Sequence, residues 1–294
     1  MRLVRYSTRR YGKRLGEEFS TELVEVQHHW AHAASLMLDA GVDEVVALTL
    51  DGTGYGTDGK AWGGEIMRTR YSGFERVGSL EDLPLIGGEA AIKDPRRIVF
   101  AIFSLLGREV PYFMDKEIAV MEKMMNKAPK TSSFGRVLDA LSCYLGICER
   151  MTYDGEPAMK LERYLACGEQ KYELETKVEL KDGKKVKTLP LFDLLADYTA
   201  KGVSTEKKKA DLAYSFVYAL VEKMVEIAAD ACVSNDIPFI GITGGVSYDV
   251  PIVRMTAELV KEKGLKFLTH NNIPNGDEGI SLGQNVIVGH MRNK

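Results

Sequence analysis

The last third of the chain alternates short apolar strands with helices, and this alternation constrains the fold more than any other feature. The pattern predicts a helix at residues 205–234, a strand at 238–243, a helix at 250–263, a strand at 266–269 and a terminal helix after residue 279. Strands that are joined by helical crossovers lie parallel in one sheet. The sequence therefore predicts an α/β protein whose C-terminal part forms a mostly parallel sheet.

A second strand signal lies near the N-terminus. Apolar and β-branched residues fill positions 44–50, and Asp51 and Gly52 follow directly, which is the pattern of a buried strand that enters a tight turn. Residues 61–70 predict the returning strand of a hairpin around the loop DGTGYGTDGK. Residues 27–40 predict a helix that ends at Gly41. These elements place the Asp51 carboxylate at the edge of the sheet.

Three of the five histidines, His28, His29 and His32, fall within that helix. His28 and His32 are spaced i, i+4, so both imidazoles leave one helix face and can share a metal ion. Imidazole fits zinc, iron(II) or nickel, and helical histidine pairs are also common without a metal. Asp51 and Asp277 add carboxylates at a strand end and in a loop, which indicates a catalytic metal set with open positions. A helix N-cap is the competing interpretation of Asp277.

Glycine-rich loops are the second chemical theme. DGTGYGTDGK contains four glycines, and Gly244 and Gly245 follow a strand and precede a helix. Backbone amides in such turns can hold phosphate. Neither loop matches a phosphate-binding motif, and tight turns with positive φ are the alternative interpretation. Glu156, in YDGEPAMKLE, can bond a ribose hydroxyl or simply lie at the surface.

Charge, hydropathy and cysteine spacing argue against several classes of partner and cellular location. The net charge of -3 over 294 residues gives no reason to expect nucleic acid as a partner. The basic first fourteen residues predict a solvated strand-and-loop edge, because no apolar signal-peptide segment follows them. No apolar stretch is long enough to span a bilayer. The four cysteines have no CxxC spacing, which favours a reducing cytoplasm, and Cys143 and Cys232 are predicted to be buried in apolar surroundings.

The chain also carries a set of longer strings in the order of one known family. They are VQHHWAHAASLM, LTLDGTGYGTDGKAWGGEIM, LPLIGGEAAIKDPRR, FGRVLDALSCYLG, YDGEPAMKLE, ITGGV and IPNGDEGISLGQ. Together they resemble the carbamoyl-transfer domain of the HypF-type hydrogenase-maturation carbamoyltransferases, from about residue 6 to 284. The tRNA threonylcarbamoyladenosine transferase family is a more distant relative that shares the helical two-histidine site.

This resemblance implies an actin/sugar-kinase-like α/β fold with two lobes and mixed sheets. Residues 1–95 would form the first lobe with the metal-binding helix. Residues 96–294 would form the second lobe, with nucleotide-binding elements and a peripheral hairpin near residues 171–190. The implied reaction transfers a carbamoyl group from carbamoyl adenylate to the C-terminal cysteine of a HypE-type partner. Divalent iron or zinc and an adenine nucleotide (ATP, AMP or carbamoyl adenylate) are the implied cofactors.

The same resemblance implies roles for individual residues of this sequence. The predicted metal ligands are His28, His32, Asp51 and Asp277. The predicted catalytic residues are His29 and Asp51. The predicted nucleotide-binding residues are Gly244 and Gly245 at the phosphate, with Gly135, Asp139 and Glu156 near the nucleoside.

The chain departs from the family pattern in three places. Family members are longer, with adenylate-forming domains upstream, which predicts that this chain performs only the transfer half-reaction. The family's first strands are absent before Ser7, which predicts an incomplete first lobe. ITGGVSYD lacks the usual Phe-Gln-Asn, and Glu278 adds a carboxylate near the proposed metal. Two other functions stay open: carbamoyl transfer to a small-molecule hydroxyl or tRNA, and a truncated, non-catalytic domain that binds metal or a partner.

Overall fold

The computed structural model describes residues 7–181, 183–203 and 205–292, with side chains from Arg10 onward. The helices are α1 (Ser7–Glu18), α2 (His28–Ala40), α3 (Glu89–Lys93), α4 (Arg96–Leu106), α5 (Asp115–Met125), α6 (Phe134–Tyr144), α7 (Glu156–Cys167), α8 (Leu189–Ala200), α9 (Glu206–Asn235), α10 (Val250–Glu262) and α11 (Ile280–Arg292). The strands are β1 (Glu44–Tyr55), β2 (Ala61–Arg70), β3 (Gly73–Leu80), β4 (Leu83–Pro84), β5 (Lys130–Thr131), β6 (Val178–Glu179), β7 (Lys184–Val186), β8 (Phe239–Thr243) and β9 (Lys266–Leu268). Two 3₁₀ turns, Gly245–Tyr248 and Asp277–Gly279, precede α10 and α11.

Within the described residues, the strands form one mixed sheet in the order β6-β7-β3-β2-β1-β8-β9, with β4 and β5 joined beside β2. The strands β1, β8 and β9 are mutually parallel, as the C-terminal alternation predicts. The strands β1, β2 and β3 form an antiparallel meander. The short hairpin of β6 and β7 extends the sheet beyond β3, within the range 171–190.

The two faces of β1 are covered by different helices because its side chains alternate. Val46, Leu48 and Leu50 belong to the large core that α6, α9 and α10 build on one face. Val45 and Ala47 pack on the other face against residues of α2. Helix α11 in turn contacts α2. The histidine helix is thus held between the sheet and α11.

The predicted end of β1 was wrong. The strand continues past Leu50 to Tyr55, and its register against β2 shifts between Leu50 and Gly54. Asp51 therefore lies within an irregular stretch of strand rather than in a turn after it. Glycines in this stretch tolerate the irregularity, and the hairpin closes later, where the Gly56 amide donates to the Lys60 carbonyl.

The basic N-terminal segment was also predicted wrongly, since residues 7–18 form helix α1. Gly12, Leu15 and Gly16 share its half-buried face, and a Cβ on Gly12 would stand 3.2 Å from Leu23. This face of the helix therefore lies against the segment that follows it. Its basic side chains are solvated as expected: those of Arg10, Lys13 and Arg14 are exposed. Arg2 and Arg5 lie outside the described residues.

Other predictions concern burial and the division into lobes. Cys143 and Cys232 are buried, and all four cysteines are free. Among the described helices, none combines the length and apolar character needed to cross a membrane. The lobe boundary at residue 95 stays a prediction, and β1 and β8, which lie on either side of it, pair directly.

Candidate metal and nucleotide site

Helix α2 presents two histidines at one end of the sheet. Its N-cap is Gln27, whose side-chain oxygen accepts from the Trp30 amide at 2.7 Å. From His29 to Met37 the helix is buried, so its position on the sheet is fixed by packing. The rings of His28 and His32 lie 4.8 Å apart between centroids, as the i, i+4 spacing predicts.

Two carboxylates complete a group of four candidate ligands. His28 Nε2 lies 2.9 Å from Asp51 Oδ2 and 3.7 Å from Asp277 Oδ1, and His32 Nε2 lies 3.4 Å from Asp277 Oδ1. One ligand atom from each residue falls within 4.8 Å of all the others. Both ring nitrogens of His32 are buried without a hydrogen-bond partner. Buried imidazole nitrogens that lack hydrogen bonds and lie beside two carboxylates form a ligand set that suits a divalent cation.

Asp51 connects this group to the paired glycines. Its Oδ1 accepts from the Gly245 amide at 3.2 Å, while its Oδ2 faces His28. Burial would raise the pKa of Asp51, but the His28 hydrogen bond and the neighbouring histidines hold that pKa far below its usual value. The carboxylate is therefore ionised, as a metal ligand must be.

Gly244 and Gly245 lie directly against β1. Gly244 has a φ of 96°, and a Cβ there would stand 2.5 Å from the Leu50 carbonyl oxygen. A Cβ on Gly245 would stand 3.1 Å from Asp51 Oδ1. The tight-turn explanation therefore holds at Gly244, because its positive φ and its close approach to β1 both disfavour a side chain there. Phosphate binding at this turn stays a prediction.

Asp277 reaches the histidines from a loop that neighbouring segments hold in place. The Gly244 amide donates to the Asn275 carbonyl at 3.1 Å, and the Gly276 amide donates to the Tyr248 hydroxyl at 3.3 Å. Upstream, the Asp39 carboxylate accepts from the amides of residues 271–273. Burial opposes ionisation of Asp39, but these amides lower its pKa to about 2. The Asp277 side chain itself is 75% exposed.

His29 is not one of the four candidate ligands, although its ring centroid lies 4.9 Å from that of His28. Its ring is fully buried, and Gln27 Nε2 donates to its Nδ1 at 3.2 Å, which leaves the ring proton on Nε2. Burial, and then the charge of His28, lower the pKa of His29 well below its usual value, so the ring is neutral at pH 7. A Cβ on Gly54 would stand 2.4 Å from this ring. Gly54 therefore packs on the histidines, and a catalytic role for His29 stays a prediction.

The predicted nucleoside contacts border the same end of the sheet through α6. A Cβ on Gly135 would stand 3.0 Å from the Gly52 Cα, so the first turn of α6 touches β1 beside Asp51. Ser133, the N-cap of α6, donates to the carbonyl oxygens of Asp51 and Gly52 at 2.8 and 2.6 Å. Asp139 is buried one turn further along α6.

Glu156 begins α7, and its carboxylate is already engaged. It accepts from the amide and hydroxyl of Thr152 and pairs with Lys160 at 2.7 Å. The Lys160 contact, followed by the Thr152 hydrogen bonds, lowers the pKa of Glu156 to about 2. A ribose contact therefore competes with local partners, and this role stays a prediction.

Sequence reasoning missed Arg136. Its guanidinium lies between Gly52 and Asp139, with Nη2 2.8 Å from Asp139 Oδ2. The sequence did carry a signal, because Arg136 and Asp139 are spaced i, i+3 inside the FGRVLD string and share one helix face.

Comparisons of the sequence and the structure with known proteins identify the family of this chain. A sequence model described as "Carbamoyltransferase, Kae1-like Domain, second subdomain" matches residues 47–284. The chain belongs to the HypF carbamoyltransferase family. The probable carbamoyltransferase HypF of Methanocaldococcus jannaschii is 36% identical over 96% of this chain and 37% of that protein. A carbamoyltransferase HypF homolog of Cupriavidus necator is 32% identical over 95% of this chain and 74% of its own length.

Solved HypF structures share the fold. A full-length HypF in the phosphate- and nucleotide-bound form matches 95% of this chain and 37% of its own with a TM-score of 0.86 and 28% identity. The T. kodakarensis HypF structure matches 99% of this chain and 40% of its own with a TM-score of 0.88 and 31% identity. The predicted actin/sugar-kinase-like α/β fold and the HypF resemblance are confirmed. This chain spans about 37% of the M. jannaschii HypF.

Proposed function

We propose that this chain transfers a carbamoyl group from carbamoyl adenylate to the C-terminal cysteine of a HypE-type hydrogenase maturation protein. The observation that carries the proposal is the group of His28, His32, Asp51 and Asp277 beside the Gly244–Gly245 turn, in a member of the HypF family. The relatives bear carbamoyltransferase names, and one HypF structure holds phosphate and nucleotide, which supports an adenylate substrate.

The chemistry requires little from the protein beyond orientation and charge stabilisation. Carbamoyl adenylate is a mixed carbamic–phosphoric anhydride and is already activated. The acceptor sulfur attacks the carbamoyl carbon, a C–S bond forms, the C–O bond to phosphate breaks, and AMP leaves with the electron pair while the thiol proton passes to solvent. A rigid site that aligns the two reactants supplies most of the acceleration.

The buried cysteines Cys143 and Cys232 do not serve as nucleophiles in this proposal. Burial raises the pKa of the Cys143 and Cys232 thiols to about 12, so neither forms a thiolate at neutral pH. The partner supplies the sulfur instead. Four free cysteines also support the predicted location in a reducing cytoplasm.

The histidine–carboxylate group fits a divalent cation, with His28, His32, Asp51 and Asp277 as its ligands. Bound there, iron or zinc would supply a Lewis acid that polarises the carbamoyl oxygen or holds the phosphate. The chain's own part is to keep these ligands in place: α2 is buried against the sheet, and Asp51 is anchored by the Gly245 amide. His29, the residue after the candidate ligand His28, is proposed to be catalytic. Its ring is neutral, and its Nε2 has no hydrogen-bond partner.

Nucleotide contacts are proposed at the two turns beside Asp51. The Gly244–Gly245 turn would face the phosphate, and Gly135 lets α6 approach the same corner through its backbone. Glu156, and Asp139 in the role that the resemblance implies, would border the nucleoside.

Elemental analysis of the purified chain tests the metal half of this proposal. We expect close to one iron or zinc per chain, lost in the double variant His28→Ala/His32→Ala, because two of the four ligands are removed. His290→Ala, a histidine near the end of α11 and outside the group, should keep the metal. A wild-type chain that stays free of metal after reconstitution with either ion would contradict the assignment.

The transfer half is tested with carbamoyl adenylate and a peptide that carries a HypE-type C-terminal cysteine. Mass spectrometry should find one carbamoyl group on the peptide sulfur with the wild-type chain, and a loss of roughly 100-fold or more in the double variant. Carbamoylation of an added hydroxyl compound or tRNA with an unmodified peptide would favour another acceptor. Hydrolysis alone, or no reaction, would overturn the transferase proposal.

A further inference from the structure

One face of helix α2 carries more than the two candidate ligands. Positions i, i+4, i+7 and i+11 of a helix share a face, and in α2 these positions are His28, His32, Ser35 and Asp39. His32 and Asp39 are separated by two turns, which is about 10 Å along the helix axis. The candidate metal site therefore lies at one end of this face, and Asp39 lies at the other end.

The loop that carries Asp277 runs back along this face from Asp39 to the histidines. At its start, Asp39 Oδ2 accepts from the amides of residues 271–273 at 2.5, 3.0 and 3.2 Å. At its end, Asp277 Oδ1 lies 3.4 Å from His32 Nε2. The chain from Asn272 to Asp277 can reach no further than about 17 Å when fully extended, so fixing its start limits where its end can lie.

The Asp39 carboxylate is committed to this loop. Its side chain is only 2% exposed, so its oxygens need partners from the protein. Besides the three amides on Oδ2, the Asn272 side-chain amide donates to Oδ1 at 3.1 Å. His270, just before the loop, shares a hydrogen bond of 2.9 Å with the Thr243 hydroxyl on β8. The start of the loop is therefore tied both to α2 and to the sheet.

Asp277 depends on the loop for its position, because its side chain is 75% exposed. Its carboxylate faces His28 and His32 at distances of 3.7 and 3.4 Å. A side chain on a free loop loses conformational freedom when it binds an ion, and a loop that is already fixed reduces that cost. Residues that orient a ligand without touching the metal typically change metal affinity roughly 10- to 100-fold.

We propose that Asp39 is a positioning residue for the metal ligand Asp277, because it fastens the Asp277 loop to the helix face that holds His28 and His32. This inference rests on the metal site of the proposed function. A single rigid helix then sets the distance between the histidines and the start of the loop. The alternative is that Asp39 only stabilises the fold, and the two roles differ in whether the effect of Asp39 requires Asp277.

A cycle of variants titrated with Co²⁺ separates these roles. Calorimetry of the metal-free chain measures affinity, and the visible absorption spectrum of bound Co²⁺ reports the number and geometry of its ligands. Asp39→Ala should lower Co²⁺ affinity roughly 10- to 100-fold and shift the spectrum towards that of Asp277→Ala. In the Asp277→Ala background, Asp39→Ala should change the affinity by less than about 2-fold, since the ligand that it positions is already gone.

Two further variants control for folding and for charge. Residues 271 and 272 are exposed, so water can replace the lost acceptor and Asp39→Ala should keep the wild-type circular dichroism spectrum. Asp39→Asn retains one acceptor oxygen for the loop amides and should recover part of the lost affinity; it carries the same cycle if Asp39→Ala fails to fold. Asp43→Ala removes an exposed aspartate just beyond the same helix and should change neither the affinity nor the spectrum.

The outcomes distinguish this inference from the proposed function. Equal losses of affinity from Asp39→Ala with and without Asp277 would show a role in the fold alone and overturn the positioning role. Unchanged Co²⁺ affinity in Asp39→Ala, with a loss in Asp277→Ala, would also overturn it while leaving the metal site intact. A wild-type chain that binds no Co²⁺, or an Asp277→Ala variant that binds it as wild type does, would overturn the four-ligand assignment and the positioning role with it.

Discussion

Asp249 is a buried carboxylate placed where its charge is costly. It is the N-cap of α10, where its side chain accepts from the Ile252 amide at 3.0 Å. Burial, and then the charge of Glu162, raise the pKa of Asp249 to about 7 although the cap hydrogen bond lowers it. An asparagine makes the same cap without a charge.

The sign of the effect on stability follows from that raised pKa. The folded state holds the Asp249 proton more tightly than the unfolded state, so the free energy of unfolding falls as pH rises from about 4 to about 7. Asp249→Asn should escape this loss. The free energy of unfolding of this variant minus that of wild type, both measured in urea, should increase by about 1–3 kcal/mol from pH 5 to pH 8.

Asp236→Asn is the matched control for that measurement, since Asp236 is an exposed C-cap with a φ of 56° that asparagine adopts readily. Its stability relative to wild type should stay constant between the two pH values. An Asp249→Asn variant that behaves in the same way would show that the Asp249 carboxylate is ordinarily solvated.

At the scale of elements, the contact between α2 and α11 places both the histidines and the Asp277 loop. Gly283, in the first turn of α11, lies directly on α2: a Cβ there would stand 1.9 Å from the Ala31 carbonyl oxygen. Backbone cannot yield as a flexible side chain does, so Gly283→Ala must move α11 away from α2. The free energy of unfolding should fall by about 1–3 kcal/mol, the usual cost of overpacking a core.

The same helix offers its own control. Gly289 has nothing within 4 Å of its Cβ position, so Gly289→Ala should gain about 0.5–1 kcal/mol from helix propensity alone. Urea unfolding of both variants measures the contrast, and metal content should fall only in Gly283→Ala because α11 follows the Asp277 turn. Equal stability of the two variants would contradict the close helix contact.

Elements with a strong hydrophobic period were predictable from the sequence within a few residues. Helix α9 and strand β8 begin one residue after their predicted starts, because core packing and local pattern agree there. Helix α1 was missed, and the contact of its half-buried face with Leu23 is one that no local pattern records. The bulge after Leu50 was missed because the glycines that follow it are compatible with a turn as well as with a bulge.

Across the whole molecule, the candidate site gathers residues that are far apart in sequence. The spacing of His28 and His32 places them on one helix face, but only the pairing of β1 with β8 brings Asp51 to Gly245. Local sequence patterns carry no information about this long-range contact. The family resemblance indicated it by assigning Asp51 and Gly245 to one metal and nucleotide site. The hydrogen bonds from the loop amides to Asp39 were beyond both sources, since they depend on how the loop folds back along α2.

The continuous sheet predicts how the molecule unfolds. Strands from both sides of residue 95 pair in it, and α9 packs on β1, β2, β3 and β8. The only two tryptophans, Trp30 and Trp62, lie before residue 95, whereas most described helices lie after it. Tryptophan fluorescence thus reports the first predicted lobe, and far-ultraviolet circular dichroism reports mainly the second.

Because neither part can leave the sheet without breaking the pairing of β1 with β8, both probes should follow one urea transition with a common midpoint. Val46→Thr tests the coupling at that seam, since Val46 is buried and pairs with Ile240. A buried hydroxyl in its place should lower both midpoints together, by about 1–3 kcal/mol in the free energy of unfolding. Midpoints that separate, with only the fluorescence transition shifted by the substitution, would mean that the sheet joins two independently folding lobes.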